Sequence, residues 1–175
     1  MFISGDKIQL RALEPGDVDL LYQWENNREV WHLSRTLTPF SRFDIEQYVL
    51  NAGRDIFADK QVRLMIDERN GSVTVGAIDL FDYDPLHQRA GIGIIIHETH
   101  RNQGFAAEAL RLVTGYCFGT LMLHQVFANI LAGNEKSIRL FEKAGFSLSG
   151  KKREWVKSGN VWKDELFYQF INPES

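Results

Sequence analysis

Residues 94–106 read IIIHETHRNQGFA, and they give the clearest structural signal in the chain. The isoleucines predict the end of a buried strand, the polar residues predict a short loop, and Gly104 precedes a predicted helix. The first N–H groups of a helix lack partners within it, and its dipole adds partial positive charge, so such a loop can hold phosphate oxygens. Gly104 allows close approach, Arg101 adds a forked cationic donor, and no carboxylate lies between Arg101 and Ala107. The stretch indicates an anion-binding turn, or else an ordinary strand-to-helix turn with a glycine.

A second strand and helix follow. Gln125–Leu131 alternates as a strand does, and Glu135–Ala144 is predicted as a helix that closes at Gly145. Asn134 stands at the position of a helix N-cap. Two consecutive strand–loop–helix units indicate an α/β protein whose polar loops lie at neighbouring strand ends.

The rest of the chain completes the predicted order β-α-α-β-β-β-α-β-α-β-β, which is a mixed sheet with helices on both faces. Helices are expected after Asp17, after Pro39 with Ser41 and Asp44 as its N-terminal cap, and after Gly104. Asn70-Gly71 is typical of a tight hairpin. The other strands are expected at Lys7–Leu13, Val62–Asp67, Ser72–Asp82, Gln88–His97, Phe146–Lys157 and Val161–Ile171.

Composition narrows the function classes. The 175 residues fit one domain, 1–175. The formal net charge of -3 argues against a nucleic-acid binder, which usually carries a basic patch. The basic cluster Lys151–Arg153 is interpreted as a solvated strand end. Cys117, the single cysteine, is expected to be a buried thiol. With no signal peptide, no membrane-spanning run and no histidine cluster at metal-ligand spacing, we expect a cytoplasmic protein without a metal.

Two motifs in this sequence resemble motifs of a known family. Residues 101–106, RNQGFA, match the Gln/Arg-x-x-Gly-x-Gly/Ala pyrophosphate loop of the GNAT (Gcn5-related N-acetyltransferase) superfamily. Residues 134–146, NEKSIRLFEKAGF, match its following element, Asn-x-x-(Ala/Ser)-x-x-x-(Tyr/Phe)-x-x-x-Gly-Phe. With Leu10–Leu13, Asp17 and residues 154–164, the pattern resembles the branch of ribosomal-protein N-terminal and polyamine acetyltransferases. The resemblance implies a mostly antiparallel twisted sheet that splays into a V between the strand ending at Ile96 and Gln125–Leu131.

The resemblance also implies an acetyl-CoA site in the V. Pantetheine would pair with the backbone of the strand, and the pyrophosphate would lie on the amides of the loop. Asn134 would contact the coenzyme arm, or serve only as a helix cap. The implied coenzyme residues are Ile94, Ile95, Ile96, Arg101, Asn102, Gln103, Gly104, Phe105, Ala106, Asn134 and Phe141.

The implied catalytic groups depart from the family in one place. Many members carry a tyrosine acid where this chain has Phe141, which has no proton to give. Ser137 matches a serine that some N-terminal acetyltransferases use near the sulfur, although it can equally serve its own helix. Glu154 matches the glutamate base of the ribosomal branch, although it can equally be a surface residue balancing Arg153.

The acceptor is expected to be a primary amine on a protein N-terminus, a polyamine or another small molecule. Asp79 and Asp82 are alternative bases and are expected on opposite strand faces. With Glu25 they could attract a cation. Gly91 stands where polyamine members carry an acidic residue, which weakens a spermidine interpretation. The alternative function is a non-catalytic acyl-CoA-binding module, and the oligomeric state is expected to be a monomer or a homodimer.

Overall fold

A computed structural model describes residues 3–27, 38–52, 56–70 and 73–174. The helices are α1 Val18–Glu25, α2 Arg42–Asn51, α3 Ile56–Asp59, α4 Phe105–Gly119 and α5 Glu135–Lys143, with single 3-10 turns at Pro15–Asp17 and Glu98–His100. The strands are β1 Ile3–Ser4, β2 Ile8–Ala12, β3 Val62–Glu68, β4 Thr74–Asp84, β5 Arg89–Ile96, β6 Gln125–Leu131, β7 Ser147–Ser158 and β8 Val161–Ile171.

These strands form one twisted sheet in the order β1-β2-β3-β4-β5-β6-β8-β7. Every neighbouring pair is antiparallel except β5 and β6, which run parallel. That pair is in register only over Arg89–Gly91 against Gln125–Phe127. Beyond this point the two strands diverge, so the predicted mixed sheet with a V at its centre is confirmed.

Side-chain alternation along the strands builds a core on each face of the sheet. In β3 and β4, Ile66 and Ile78 join the larger core with α4 and α5. Their neighbours Met65 and Ala77 join a smaller core with α1 and α2. The prediction of helices on both faces is therefore confirmed.

Local signals located most elements to within two residues. Ser41 Oγ accepts the N–H of Asp44, as the predicted cap requires. Cys117 is fully buried, and burial raises the pKa of its thiol to about 12, which agrees with an inert core thiol. The sequence pattern missed the two-residue edge strand β1 and the short helix α3. Gly71 of the predicted hairpin turn lies outside the described residues.

A buried ionic cluster ties the start of α1 to the sheet. Arg11 donates to both carboxylate oxygens of Asp17, at 2.7 and 2.8 Å, and its Nε donates to Asp67 at 2.6 Å. Thr74 Oγ1 also donates to Asp67. Burial by itself would raise the pKa of Asp17, but the hydrogen bonds from Arg11 and from the Glu14 N–H hold this pKa below its usual value.

Replacing Arg11 with methionine should destabilise the fold by about 3–5 kcal/mol at pH 7, because two buried carboxylates lose their shared cation. The charged Asp17 stabilises the wild type above its unfolded pKa of about 3.9, and this contribution is lost as pH falls through its lower folded pKa. Without Arg11, burial raises the pKa of Asp17 instead, so the destabilisation should shrink between pH 7 and pH 4. Urea unfolding at several pH values measures both effects.

Arg42→Met is the matched control for this prediction. Arg42 also contacts two carboxylates, Asp19 at 2.7 Å and Glu46 at 3.2 Å, but its side chain is 57% exposed. Exposed ion pairs contribute little to stability. Equal losses in the Arg11 and Arg42 variants would contradict a structural role for the buried cluster.

Candidate active site

The V between β5 and β6 opens into a cavity of about 470 Å³. Three elements form one wall of this cavity: β5 through Ile92–Ile95, β6 through Asn129–Leu131, and α5 through Asn134, Ser137 and Phe141. Its other wall comes from α1, β3, β4, β7 and β8 through Trp24, Glu25, Arg63, Ala77, Asp79, Phe81, Asp82, Val156 and Glu165. The structure thus brings the predicted coenzyme strand, Ser137 and the acidic residues of α1 and β4 around one cavity.

The backbone of β5 presents hydrogen-bonding groups to the V. His97 N–H donates to the carbonyl of Val75 on β4, and Ile95 is paired with Ala77 in the same register. Because antiparallel ladders alternate, the backbone groups of Ile95 point to β4, while those of Ile94 and Ile96 point away from it. Both backbone groups of Ile94 and the N–H of Ile96 are therefore oriented to pair with an extended ligand in the V, whereas the Ile96 carbonyl accepts a hydrogen bond from Arg101.

The loop after β5 carries a run of free donors. Among the described residues, no hydrogen bond engages the backbone N–H groups of residues 102–107. Asn102 and Gly104 have φ values of 63° and 86°, and these left-handed conformations turn the chain into α4. Arg101 Nε donates to the Ile96 carbonyl at 3.1 Å, which anchors its guanidinium beside the V. A curved set of N–H groups at the N-terminus of a 15-residue helix suits an anion.

Lys7 is a loop residue of this site that sequence reasoning missed. Its ammonium donates to the Gln103 carbonyl at 3.1 Å, and its backbone N–H donates to Glu108 of α4. Lys7 precedes β2 and is 96 residues from Gln103 along the chain, so only the folded sheet brings its charge to the loop. No local sequence signal could have found it.

Helix α5 places three predicted residues at the V. Asn134 Oδ1 accepts the N–H of Ser137 at 3.3 Å, so Asn134 is a helix cap that also lines the cavity. The Phe141 ring is 4% exposed and packs edge-on against Phe146 with 5.0 Å between ring centroids. Phe141 therefore contributes an apolar wall and belongs to the larger core.

Two of the predicted cation-attracting carboxylates already hold a cation. Arg63 Nη1 donates to Glu25 at 2.6 Å, and its Nε and Nη2 donate to Asp79 at 2.7 and 2.9 Å. Its guanidinium also lies 5.7 Å from the centre of the Tyr48 ring. Burial alone would lower the pKa of Arg63, but the hydrogen bond and charge of Asp79 and the charge of Glu25 raise it, so Arg63 is permanently charged.

The expectation that Asp79 and Asp82 lie on opposite faces is wrong. The register between β4 and β5 shifts between Phe81 and Asp84, and Asp82 has a φ of 49°. Such a bulge interrupts the alternation of side chains, so both carboxylates line the same cavity. Within the described parts of the chain, Asp82 makes no hydrogen bond or ion pair, in contrast to Asp79.

Glu154 lies on the last hairpin and does not line the cavity. Glu154 lies in an irregular section of β7 between Lys152 and Val156, has a φ of 47°, and is exposed. Its backbone N–H donates to Asp164, and its side chain is not among the groups that line the cavity. The assignment of Glu154 as base stays a prediction that this geometry does not favour.

Lys152 differs from the expected solvated strand end. It lies inside β7, and its ammonium donates to Asn129 and to Glu165, both at 3.0 Å. Glu165 is only 4% exposed and lines the cavity. The basic cluster is therefore partly internal, because pairing of β7 with β8 brings Lys152 over the end of β6.

Phe81 explains the glycine at position 91. A β-carbon on Gly91 would overlap the Phe81 ring, and one on Gly93 would lie 3.8 Å from it. The ring also packs edge-on against Phe127, with centroids 5.6 Å apart. An aromatic ring therefore lines the V over Gly91, the position at which polyamine members of the family carry an acidic residue.

Metal-binding clusters and membrane-spanning helices are both absent from the described residues. No group of three or more histidine, cysteine, aspartate or glutamate side chains there could hold a metal ion. No helix in the described ranges is both long and apolar enough to cross a membrane.

Known proteins share this chain's sequence pattern. The family described as Acetyltransferase (GNAT) domain matches residues 7–147. A Bacillus subtilis protein named Probable N-acetyltransferase YjcK is 30% identical over 185 aligned residues, which cover 98% of each chain. A Vibrio cholerae spermidine N(1)-acetyltransferase is 27% identical over 149 residues, covering 83% of this chain and 82% of its own length.

Solved structures share the fold. The crystal structure of spermidine N-acetyltransferase from Vibrio cholerae in complex with CoA and spermine matches with a TM-score of 0.86 at 23% identity, covering 95% of this chain and 96% of that one. A GNAT-family acetyltransferase from Bacillus anthracis matches with a TM-score of 0.81 at 23% identity, covering 98% of both chains. At this identity the likeness concerns the fold alone.

Proposed function

Because the chain belongs to the GNAT acetyltransferase family, we propose that it transfers an acetyl group from acetyl-CoA to a primary amine by direct attack in a ternary complex. One observation carries the proposal. The open V between β5 and β6 ends at a helix N-terminus whose preceding loop presents unpaired N–H groups over residues 102–107. A ligand with an extended arm and a pyrophosphate fits that combination.

The coenzyme would lie along the V, with its phosphates at the loop before α4. Ile94, and Ile96 through its N–H, would supply backbone groups for the pantetheine arm, and residues 101–106 with Arg101 would supply the donors for phosphate. Asn134 and Phe141 form the opposite wall. Acetyl-CoA would bring an activated thioester, so the protein has to orient it, polarise its carbonyl and prepare the amine.

The chain's own groups can meet those needs. A backbone N–H from Ile94 or Ile96 would polarise the carbonyl oxygen. The Ser137 hydroxyl, which lines the V, can donate a hydrogen bond toward the departing sulfur. For the amine proton we favour Asp82, acting directly or through one water, because it lines the cavity and has no partner among the described residues. Glu25 and Asp79 are occupied by Arg63 and are less available as bases.

The test is release of CoA with a panel of amines. Spermidine belongs in it because relatives are named for that activity, together with simple alkylamines, arylalkylamines and a short peptide with a free N-terminus. We expect amine-dependent release of one CoA per acetylated amine, identified by mass spectrometry. Tight acetyl-CoA binding without release for any amine would instead support the non-catalytic acyl-CoA-binding alternative, for which the missing tyrosine at Phe141 is the argument.

Phe141→Tyr tests whether the missing acid matters. Phe141 is nearly buried and lines the V, so a tyrosine can place its hydroxyl in the cavity without leaving the core. General acid assistance is commonly worth about 10²–10⁴-fold, but only when thiolate departure limits the rate. We expect the variant to fold and its kcat to be equal or higher, as measured with one validated amine. A folded variant whose kcat falls tenfold would show that the apolar ring itself is needed.

A further inference from the structure

A second cavity of about 360 Å³ lies beside the V, between α1, α2, β3 and β4. We call it the side chamber. It shares Glu25, Arg63, Asp79 and Phe81 with the V cavity. The two spaces therefore meet at the Arg63 ion pairs and the Phe81 ring, on the side of β4 that carries Asp79 and Asp82.

The side chamber is lined mainly by apolar groups, among them Leu21, Phe40, Ile45, Tyr48, Leu80 and Phe81. Its other charged residues are already engaged. Asp44 accepts hydrogen bonds from the Ser41 hydroxyl and N–H in the cap of α2, and Arg63 holds Glu25 and Asp79. The described residues that line the chamber thus offer contact area to an apolar group and no free carboxylate to a cation.

The charges at the junction favour a ligand with one ammonium group. Arg63 stays protonated, because its pKa is raised by the hydrogen bond and charge of Asp79 against the cost of burial. Another cation entering the chamber would meet this guanidinium, and the carboxylates that could hold that cation are already bonded to it. Asp82 remains as a carboxylate for one ammonium group at the V. The Phe81 ring beside it offers an apolar surface over Gly91 and Gly93.

We propose that the acceptor is a primary amine with a single positive charge whose aromatic or branched apolar body enters the side chamber, in preference to a polyamine. The inference rests on the proposed transferase function and names the substrate class of the same site. The ammonium lies at Asp82, the body packs on Phe81, and the Arg63 ion pairs exclude a second cationic centre. A small arylalkylamine and a peptide whose first residue is phenylalanine share this chemistry.

The experiment compares 2-phenylethylamine, ethylamine, spermidine and a tetrapeptide that begins with phenylalanine. We expect kcat/KM for 2-phenylethylamine or for the peptide to exceed that for ethylamine by about 10²-fold, since filling an apolar pocket by one group commonly gives about 10–200-fold. The kcat/KM for 2-phenylethylamine or for the peptide should also exceed the kcat/KM for spermidine by at least about tenfold. Whichever of the two apolar acceptors is better identifies the natural source of the amine.

Gln61→Trp tests whether the apolar body of the acceptor enters the side chamber. Gln61 is an exposed residue that lines the side chamber, so an indole there narrows the space with little risk to folding. The preference for 2-phenylethylamine over ethylamine should fall at least tenfold. Gln47→Trp is the matched control, because Gln47 is exposed on α2 and lines neither cavity. The preference of the Gln47→Trp variant for 2-phenylethylamine over ethylamine should equal that of the wild type.

Calorimetry of 2-phenylethylamine binding to the CoA-bound protein gives a readout that needs no turnover. Weaker binding in Gln61→Trp but not in Gln47→Trp would support the side chamber even if no amine released CoA. Absence of CoA release would overturn the transferase function alone. Preferred turnover of spermidine, or equal binding in the two variants, would overturn the chamber while leaving the transferase function intact.

Discussion

Replacing Gly104 with glutamate is expected to lower the affinity for acetyl-CoA by at least about 100-fold. Two like charges about 4 Å apart repel by about 4 kcal/mol at an effective dielectric constant of about 20, which corresponds to about 10³-fold. The new carboxylate would stand at the start of α4, where the free N–H groups of residues 102–107 face outward. It would also face the Lys7 ammonium, which lies 3.2 Å from the position of the added β-carbon, and so withdraw that charge from the ligand.

Gly104→Ala separates charge from backbone strain. Gly104 has a φ of 86°, so either substitution puts a side chain into the left-handed region at a cost of about 1–2 kcal/mol. Only glutamate adds the repulsion. Isothermal titration of acetyl-CoA into each folded variant should give the alanine protein less than a tenfold loss. Equal affinities of the two variants would place the phosphates elsewhere and remove the main support for the proposed coenzyme site.

Asp82→Asn is expected to lower kcat/KM at pH 7 by about 10²–10⁴-fold. An amine with a pKa near 10 is mostly protonated at neutral pH, so a base has to remove a proton before attack. As pH rises, free amine accumulates and the need for the base declines. The variant should therefore recover toward the wild-type rate between pH 7 and pH 10. Asparagine keeps the side-chain shape and tolerates the left-handed backbone of Asp82, so the comparison isolates basicity.

Glu154→Gln is the companion to that measurement, because Glu154 is the base that the family resemblance implies. Its side chain is exposed and does not line the cavity, so we expect its pH–rate profile to run parallel to that of the wild type. If Glu154→Gln loses its rate near neutrality while Asp82→Asn keeps it, the base is Glu154. The hairpin of β7 and β8 would then have to close over the acceptor.

Residues 94–106 and 134–146 could be interpreted correctly from the sequence because their structure is set by neighbours in the chain. A strand that ends in apolar residues, a glycine at a left-handed position and an unpaired first helical turn follow from rules that act over a few residues. Ser41, Asp44 and Asn134 were located for the same reason, since a helix cap bonds to a residue three positions away.

The acceptor side could not be predicted in this way. The alternation expected along Ser72–Asp82 fails at the bulge near Asp82, so that the exposed Asp82 lines the same cavity as Asp79. Arg63 pairs with Glu25 and Asp79, which are 38 and 16 residues away along the chain. Lys152 reaches Glu165 and Asn129 only through strand pairing. A sequence shows that these charges exist but does not show which of them neutralise one another.

The amino-acid sequence was enough to predict the family, the mixed sheet and the strand–loop–helix form of the proposed coenzyme site, because those features follow local patterns of hydrogen bonding and apolar spacing. The other wall of the cavity could be described only from the tertiary structure. There, pairing of β3, β4 and β5 places Arg63 beside Asp79 and Phe81 over Gly91, and α1 brings Glu25 to Arg63, while Asp82 has no partner among the described residues. Charge and volume in a cavity depend on distances between residues far apart in the chain, and those distances exist only in the folded protein.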